Sequence, residues 1–288
     1  MPFDLFNVKG RTSMVGDLHT HSRKSDGSMY VEDIVAYAKR VKLDYLALTD
    51  HDSMAGVPIA MEAGKKLGVQ IIPGVEISTR DYQRGRPVHM LCYFPKDTDT
   101  LQGELNKTLQ SRAATKKQMI EKILKIYPIT WEYIARFSRE SESIYESHIM
   151  QALADHGYTN TVIGSLKDDL ISKNGSCYVP NAYPDTREVI RLIHDVGGLA
   201  VIAHPGQFDS LDLCAELAEK KEIAGIEYAH PRNAGDVKAS IKNICTKCDL
   251  IMTGGSDFHG QFAKSPHPLG SFVTQEPAIQ RLIALSRI

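Results

Sequence analysis

Two histidines near the start of the chain, His19 and His21, are separated by one residue, and the carboxylate of Asp26 follows five residues later. If residues 13–16 lead into a short strand, side-chain alternation places both imidazoles on one face. Two imidazoles on one face with a nearby carboxylate can begin a metal site. A His-x-His motif alone is equally typical of a solvated polar loop, so its meaning depends on the other histidines and acids.

The further candidate ligands share one position in the sequence. Each lies at or just beyond the end of a short apolar run that predicts a strand. In barrels and open parallel sheets the carboxyl ends of the strands meet at one edge, and binding sites form there. Scattered core histidines would not be expected to choose that edge repeatedly, so the set predicts a metal site. The candidates at these ends are His51, Glu76, His204, Asp257 and His259.

Helical patterns separate the predicted strands, and this alternation favours a parallel α/β sheet or barrel. We expect Ser28 to cap the first helix, over residues 31–41, and Gly68 to close the second, over 57–67. Asp185 or Thr186 can cap a later helix that ends at the glycine pair 197–198.

From about residue 100 to 173 the pattern is almost wholly helical, which predicts a helical insertion. We therefore expect three parts: a first barrel part over residues 1–98, a mostly helical insertion over 99–184 that caps the substrate, and a second barrel part over 185–288.

Composition excludes several classes of protein. The 288 residues carry a formal net charge of −1, so no global basic surface is available to attract nucleic acid. The sequence shows no apolar run of membrane-spanning length and no signal-peptide pattern, and we expect a cytoplasmic protein without a membrane partner. The five cysteines are scattered, and Cys245 and Cys248 have no further soft ligands nearby, so unpaired thiols are expected.

The candidate set contains more donors than one tetrahedral ion needs. Two or three divalent ions are therefore expected, with Glu76, on a middle strand, as the natural bridging carboxylate. Clustered ions lower the pKa of a bound water and stabilise the oxygens of a phosphoryl group. Asp17, Asp50 and Asp52 flank candidate ligands, and each could orient an imidazole N–H or simply stabilise a turn.

Five motifs together resemble the PHP (polymerase and histidinol phosphatase) superfamily in order and separation. The resemblance covers nearly the whole chain and implies a distorted seven-stranded (β/α) barrel. The most similar branch is that of free-standing metal-dependent phosphoesterases with a helical insertion, including nucleotide 3′,5′-bisphosphate phosphatases and 5′-3′ exonucleases on short RNA. The motifs are Asp17-Leu-His-Thr-His-Ser with Ser25-Asp-Gly, Leu48-Thr-Asp-His-Asp52, Pro73-Gly-Val-Glu-Ile-Ser78, Ala203-His-Pro-Gly206 and Gly255-Ser-Asp-Phe-His259.

The resemblance implies nine metal ligands for two or three ions of zinc, iron or manganese. The first ion would be held by His19, His21, Glu76 and Asp257, the second by Asp26, His51 and His259, and the third by Glu76, His89 and His204. All of these except His89 and His204 are also implied as catalytic. His89 could alternatively be an ordinary strand histidine.

On the substrate side, His148 matches a histidine of the insertion that contacts substrate phosphate in relatives. Relatives often carry arginine where this chain has Glu146 and Gln207. We expect Arg232 to replace the missing positive charge, with Lys167 and Lys173 as alternatives, and we also assign His204 to substrate binding. The basic run over residues 107–125 is interpreted as a solvated helix face rather than a nucleic-acid contact.

The resulting hypothesis is a metal-dependent phosphoesterase that uses a metal-bridging hydroxide to hydrolyse a phosphomonoester of a small phosphorylated substrate, with a nucleotide as the expected class. One alternative is a 5′-3′ exonuclease on short oligonucleotides, and another is a non-catalytic module that binds metal or nucleotide. Histidinol phosphatase fits poorly because of the helical insertion.

Overall fold

A computed structural model describes residues 13–263 and 267–287, and its eight strands form one curled sheet in the order β7-β6-β5-β4-β3-β2-β1-β8. Where the two ends of the sheet approach, Leu18 N–H donates to the Gly254 carbonyl (3.2 Å) and Gly254 N–H donates to Thr274 Oγ1 (2.7 Å), so the barrel is nearly closed. The expected α/β barrel of the PHP type is confirmed. The strands are β1 (Val15–Asp17), β2 (Tyr45–Leu48), β3 (Gln70–Asp81), β4 (Arg86–Tyr93), β5 (Leu199–Ile202), β6 (Gly225–Ala229), β7 (Ile251–Gly254) and β8 (Thr274–Gln275).

The sheet is mixed rather than fully parallel. Strands β1, β2 and β3 are parallel to one another, as are β5, β6 and β7, but β4 is antiparallel to both of its neighbours and β8 is antiparallel to β1. Strand β3 does not end at or before Glu76 as expected but continues to Asp81, and the chain returns through a tight turn into β4. A short turn can join only antiparallel strands. Glu76 therefore lies within a strand, opposite Leu91 of β4.

The helices match most of the predicted segments. The second helix covers Val57–Leu67 and ends at Gly68, whose φ of 72° suits a residue without a Cβ. The predicted Ser28 cap is wrong: the first helix begins at Val31 after Tyr30, while Ser28 Oγ accepts a hydrogen bond from Gln261 N–H (2.9 Å). The α-helices are α1 (Val31–Arg40), α2 (Val57–Leu67), α3 (Thr98–Ile123), α4 (Trp131–Ala135), α5 (Glu146–Asp155), α6 (Ser165–Leu170), α7 (Thr186–Asp195), α8 (Pro205–Phe208), α9 (Leu211–Glu219), α10 (Gly235–Cys248) and α11 (Glu276–Leu285).

Helices α3 to α6 follow β4 and contain an apolar cluster of their own, which includes Met119, Ile134 and Leu153. Within the barrel, Leu18, Leu91 and Tyr93 belong to a different buried cluster, and the Tyr93 hydroxyl donates to the Leu18 carbonyl (2.7 Å). Separate cores are consistent with a helical cap, but the three-part division of the chain stays a prediction.

Two expectations from composition can be compared with the structure. All five cysteines are free, as expected. Among the described residues, no helix combines the length and the apolar character that crossing a membrane requires.

Candidate metal centre

His19 and His21 follow β1 directly, and both side chains are fully buried at the mouth of the barrel. The acids beside the candidate ligands stabilise the loops that carry them. Asp17 accepts hydrogen bonds from Ser256 N–H (2.9 Å), Ser256 Oγ (2.6 Å) and a further backbone N–H. Asp50 similarly accepts from Ser22. For these acids the turn-stabilising alternative is therefore the one that the structure favours.

Asp52 follows the same pattern. It accepts a hydrogen bond from Ser78 N–H (2.9 Å) and forms an ion pair with Arg112. It thus connects β3 to helix α3 and, among the described residues, contacts no imidazole.

One group of ligands converges on Glu76 Oε2. The Nε2 atom of His19 lies 3.1 Å from this oxygen, and the Nε2 atom of His21 lies 3.2 Å from it. Asp257 Oδ1 lies 3.2 Å from His21 Nε2 and 3.5 Å from His19 Nε2. The structure thus brings together the four residues expected at the first ion.

A second group surrounds Asp26. Its Oδ1 lies 3.3 Å from His259 Nε2, and its Oδ2 lies 3.9 Å from His51 Nε2. His21 joins this group, with Nδ1 3.8 Å from Asp26 Oδ1. The three residues expected at the second ion are therefore adjacent, and His21 lies between the first and second groups.

The other oxygen of Glu76 faces a third group. Glu76 Oε1 lies 2.8 Å from His89 Nδ1 and 2.7 Å from His204 Nε2. His89 thus contacts the same carboxylate as His204, and its role as a metal ligand stays a prediction. Because its two oxygens face different sets of imidazoles, Glu76 has the geometry of a bridging carboxylate.

The chemistry of the donor set fits divalent ions. Burial by itself would raise the pKa of Glu76, but His19, His51 and His89 hold that pKa well below its usual range. Burial would lower the pKa of His21, but the nearby carboxylates of Asp257 and Glu76 raise it to about 10. In the metal-free protein, protons on the imidazoles would therefore offset the negative charge of the acids, and bound metal ions would displace these protons. Several buried imidazole nitrogens lack a hydrogen-bond partner among the described residues, as free ligand atoms would: His19 Nε2, His21 Nδ1 and Nε2, His51 Nδ1 and His204 Nδ1.

Glu227, on β6, was missed by the sequence analysis. Its Oε1 lies 2.9 Å from His19 Nδ1, and its Oε2 accepts a hydrogen bond from His204 N–H (2.8 Å). When Nδ1 of His19 donates to Glu227, Nε2 keeps its lone pair for the cluster. An acid inside the short apolar run 225–228 was the available signal.

His230 was also missed, although it follows a predicted strand as the other ligands do. Its Nδ1 accepts a hydrogen bond from Arg232 N–H (3.0 Å), so in the neutral ring the proton lies on Nε2. That Nε2 is buried 3.4 Å from Asp257 Oδ2. His230 is therefore placed as a hydrogen-bond donor beside the cluster.

Comparison with known proteins shows the family to which the chain belongs. A model of the PHP domain family matches residues 17–222, more than half of the chain. The chain belongs to the PHP family. It is accordingly a metal-dependent hydrolase of phosphate esters, and the resemblance seen in the motifs is confirmed.

Similar proteins of the PHP family cover nearly the whole chain. A phosphoribosyl 1,2-cyclic phosphate 1,2-diphosphodiesterase from Eggerthella lenta is 36% identical over 256 residues, which are 88% of this chain and 97% of that protein. The 5′-3′ exoribonuclease Rnm of Salmonella typhimurium is 28% identical over 86% of each chain. A crystal structure from Bifidobacterium adolescentis, assigned as a metal-dependent phosphoesterase, aligns with a TM-score of 0.85 at 28% identity and covers 94% of this chain and 96% of its own.

Seven of the nine predicted ligands, all except His19 and His21, line a cavity of about 360 Å³, a size that suits a small molecule. Helices α3, α5 and α6 provide the opposite wall through Arg112, Lys116, Glu146 and Lys167. Arg232 lines the cavity too. Two of the three suggested replacement cations, Arg232 and Lys167, thus face the cavity, while the third, Lys173, is exposed elsewhere.

His148 lies in α5 behind the cavity wall. Its Nδ1 accepts a hydrogen bond from Tyr145 N–H (3.1 Å), and burial lowers its pKa to about 4. The neighbouring Ser147 lines the cavity in its place. A contact between His148 and substrate phosphate therefore stays a prediction.

The interpretation of the basic run as a solvated helix face is wrong for two residues. Arg112 and Lys116 are buried, because this side of α3 lies against the mouth of the barrel. The interpretation is correct for Lys107, Lys117, Lys122 and Lys125, which are exposed.

Proposed function

We propose that the nine residues predicted as metal ligands bind two or three divalent ions and that a small phosphorylated molecule is hydrolysed above them. The observation that carries this proposal is the arrangement around Glu76, whose two oxygens face separate sets of imidazoles on the floor of the cavity. The mixture of imidazole and carboxylate ligands suits zinc, iron or manganese.

Bound divalent ions would supply a water of lowered pKa and positive charge beside the phosphoryl oxygens. The protein's own groups position the reactants. Glu227 keeps the His19 ring in one orientation, and His230 offers an N–H donor at Nε2. Arg232 adds positive charge to the cavity, which favours an anionic substrate, and the helices of the opposite wall restrict access of bulk water.

Phosphate release tests the proposal. The protein is purified with manganese, zinc or iron and assayed with nucleotides, sugar phosphates, cyclic phosphates and p-nitrophenyl phosphate. We expect release with at least one metal, and its near-complete loss in Asp257→Asn. Asp236→Asn, on the exposed start of α10, is the matched control and should retain activity. If folded, metal-loaded protein releases no phosphate from any of these compounds, the proposal is wrong.

Exonuclease activity on short oligonucleotides is the second candidate, and the similarity to the Salmonella exoribonuclease favours it. A 5′-phosphorylated, 3′-labelled RNA would then be shortened stepwise, with a strong dependence on salt. The net charge of −1 argues against a long nucleic-acid track. The non-catalytic alternative is not favoured, because the chain belongs to a family of metal-dependent hydrolases.

A further inference from the structure

Three charged side chains of the insertion form a fork on the wall opposite the PHP ligands. Glu146 Oε1 lies 3.0 Å from Lys116 Nζ, and Glu146 Oε2 lies 2.8 Å from Lys167 Nζ. All three residues line the cavity. The Lys116 side chain is only 6% exposed, so this ammonium is presented to the cavity rather than to bulk solvent.

The fork has an excess of positive charge. Burial would raise the pKa of Glu146, but Lys116 and Lys167 lower it to about 2, so the carboxylate is ionised at neutral pH. Two ammonium groups therefore surround one carboxylate. Arg112 does not change this balance, because it forms an ion pair with Asp52.

Each member of the fork keeps hydrogen-bonding capacity for a ligand. An ammonium has three N–H donors, and Lys116 Nζ contacts only Glu146 and the Met119 sulfur among the described residues. Each carboxylate oxygen can accept more than one hydrogen bond. The fork can therefore bind an anionic group and a neighbouring hydroxyl together.

Two tyrosines of the same cavity, Tyr145 and Tyr183, are poorly placed to stack on a nucleobase. The Arg112 guanidinium lies over the Tyr145 ring at 4.6 Å and over the Tyr183 ring at 5.7 Å. The Tyr145 hydroxyl also donates to the His51 carbonyl (2.8 Å), which fixes the ring. Because this wall is polar and these ring faces are already occupied, it favours a sugar with its hydroxyl groups over a nucleobase.

Resting on the proposed function, we infer that Lys116, Glu146 and Lys167 form a subsite for the second phosphate of a doubly phosphorylated sugar. The two lysines bind that phosphate, and Glu146 accepts a hydrogen bond from a hydroxyl of the sugar. The reacting phosphate ester lies at the PHP ligands across the cavity.

The role of the two lysines is tested by measuring kcat/KM with the metal-loaded full chain. The substrates are ribose 1,2-cyclic phosphate with and without a 5-phosphate, adenosine 3′,5′-bisphosphate, and p-nitrophenyl phosphate. Lys116→Met and Lys167→Met should each lower kcat/KM for the 5-phosphorylated sugar by roughly 10- to 100-fold, the range for one charge-assisted hydrogen bond. The loss should be clearly smaller for p-nitrophenyl phosphate and for the sugar without a 5-phosphate, so that the preference for the 5-phosphorylated sugar falls. Lys117→Met, on the exposed side of α3, is the matched control.

The Glu146→Gln variant tests the hydroxyl contact through competitive inhibition. Removing the carboxylate charge from between the two lysines should strengthen inhibition by pentyl phosphate, which has no hydroxyl groups. Inhibition by ribose 5-phosphate should be strengthened less or weakened, because its hydroxyl loses a charged acceptor. An equal change for both inhibitors would overturn the role of Glu146.

The outcomes distinguish a failure of the proposed function from a failure of the proposed subsite. If wild-type protein hydrolyses none of the substrates, the proposed function itself fails. If it hydrolyses p-nitrophenyl phosphate but the lysine variants retain the full preference for the 5-phosphorylated sugar, the subsite is wrong. A higher kcat/KM for adenosine 3′,5′-bisphosphate than for the 5-phosphorylated sugar would overturn the assignment to a sugar. Circular dichroism of each variant confirms that it is folded.

Discussion

Replacement of Glu227 by glutamine should weaken metal binding without altering any metal ligand. Glu227 is fully buried, and its two oxygens lie beside two N–H groups, His19 Nδ1–H and the His204 backbone N–H. Glutamine has nearly the same shape but only one acceptor oxygen, so one of these donors would face an NH₂ group. A buried donor left without an acceptor costs about 1–3 kcal/mol.

The change acts on the metal site through the orientation of His19. Loss of a hydrogen bond behind a ligating imidazole typically reduces metal affinity by about 10- to 100-fold. In the Glu227→Gln variant, we expect the affinity for the most tightly bound ion to fall by this factor. Excess metal should then restore most of the activity, because the ligands themselves are intact.

The assay is a competition titration of metal-free protein against a fluorescent chelator, with Zn²⁺ as the probe. Glu219→Gln is the matched control, since Glu219 is exposed on α9 and pairs only with Lys247 among the described residues. An unchanged affinity in folded Glu227→Gln would refute the argument that this carboxylate orients His19.

Two further predictions concern the same centre. Gly255→Ala should lower the melting temperature and release bound metal, because an added Cβ would lie 2.3 Å from His19 Cβ. Gly235→Ala is the control, since a Cβ added there has no atom within 4 Å. Equal melting temperatures for both variants would contradict this reasoning. In metal-free protein, the pKa of His21 is raised from 6.5 to about 10, so its contribution to stability is complete below pH 6.5 and is lost as the pH rises toward 10. Melting temperatures measured in chelator should therefore fall over that interval, and a rise would contradict the prediction; added metal should stabilise the protein more at higher pH, since its binding releases protons.

Local patterns predicted the regular elements well. The span of α2 and its glycine end were predicted to the residue, and Asp185 caps α7 as one of the two candidates. Periodicity failed at β3, because an apolar run does not reveal whether its next partner is parallel or antiparallel. The Ser28 cap failed because its hydroxyl is engaged by Gln261, more than two hundred residues away in the chain.

The sequence by itself determined the family, the barrel and the nine candidate ligands, because the motifs that carry the resemblance are local in the sequence. Only the tertiary structure decided how these residues share Glu76, that Glu227 and His230 belong beside them, and that Lys116 and Lys167 enclose Glu146. The physical reason is that burial and pairing depend on which elements pack together. A lysine on a helix surface and a lysine on a cavity wall have the same local pattern, and only packing against the barrel distinguishes Lys116 from Lys117.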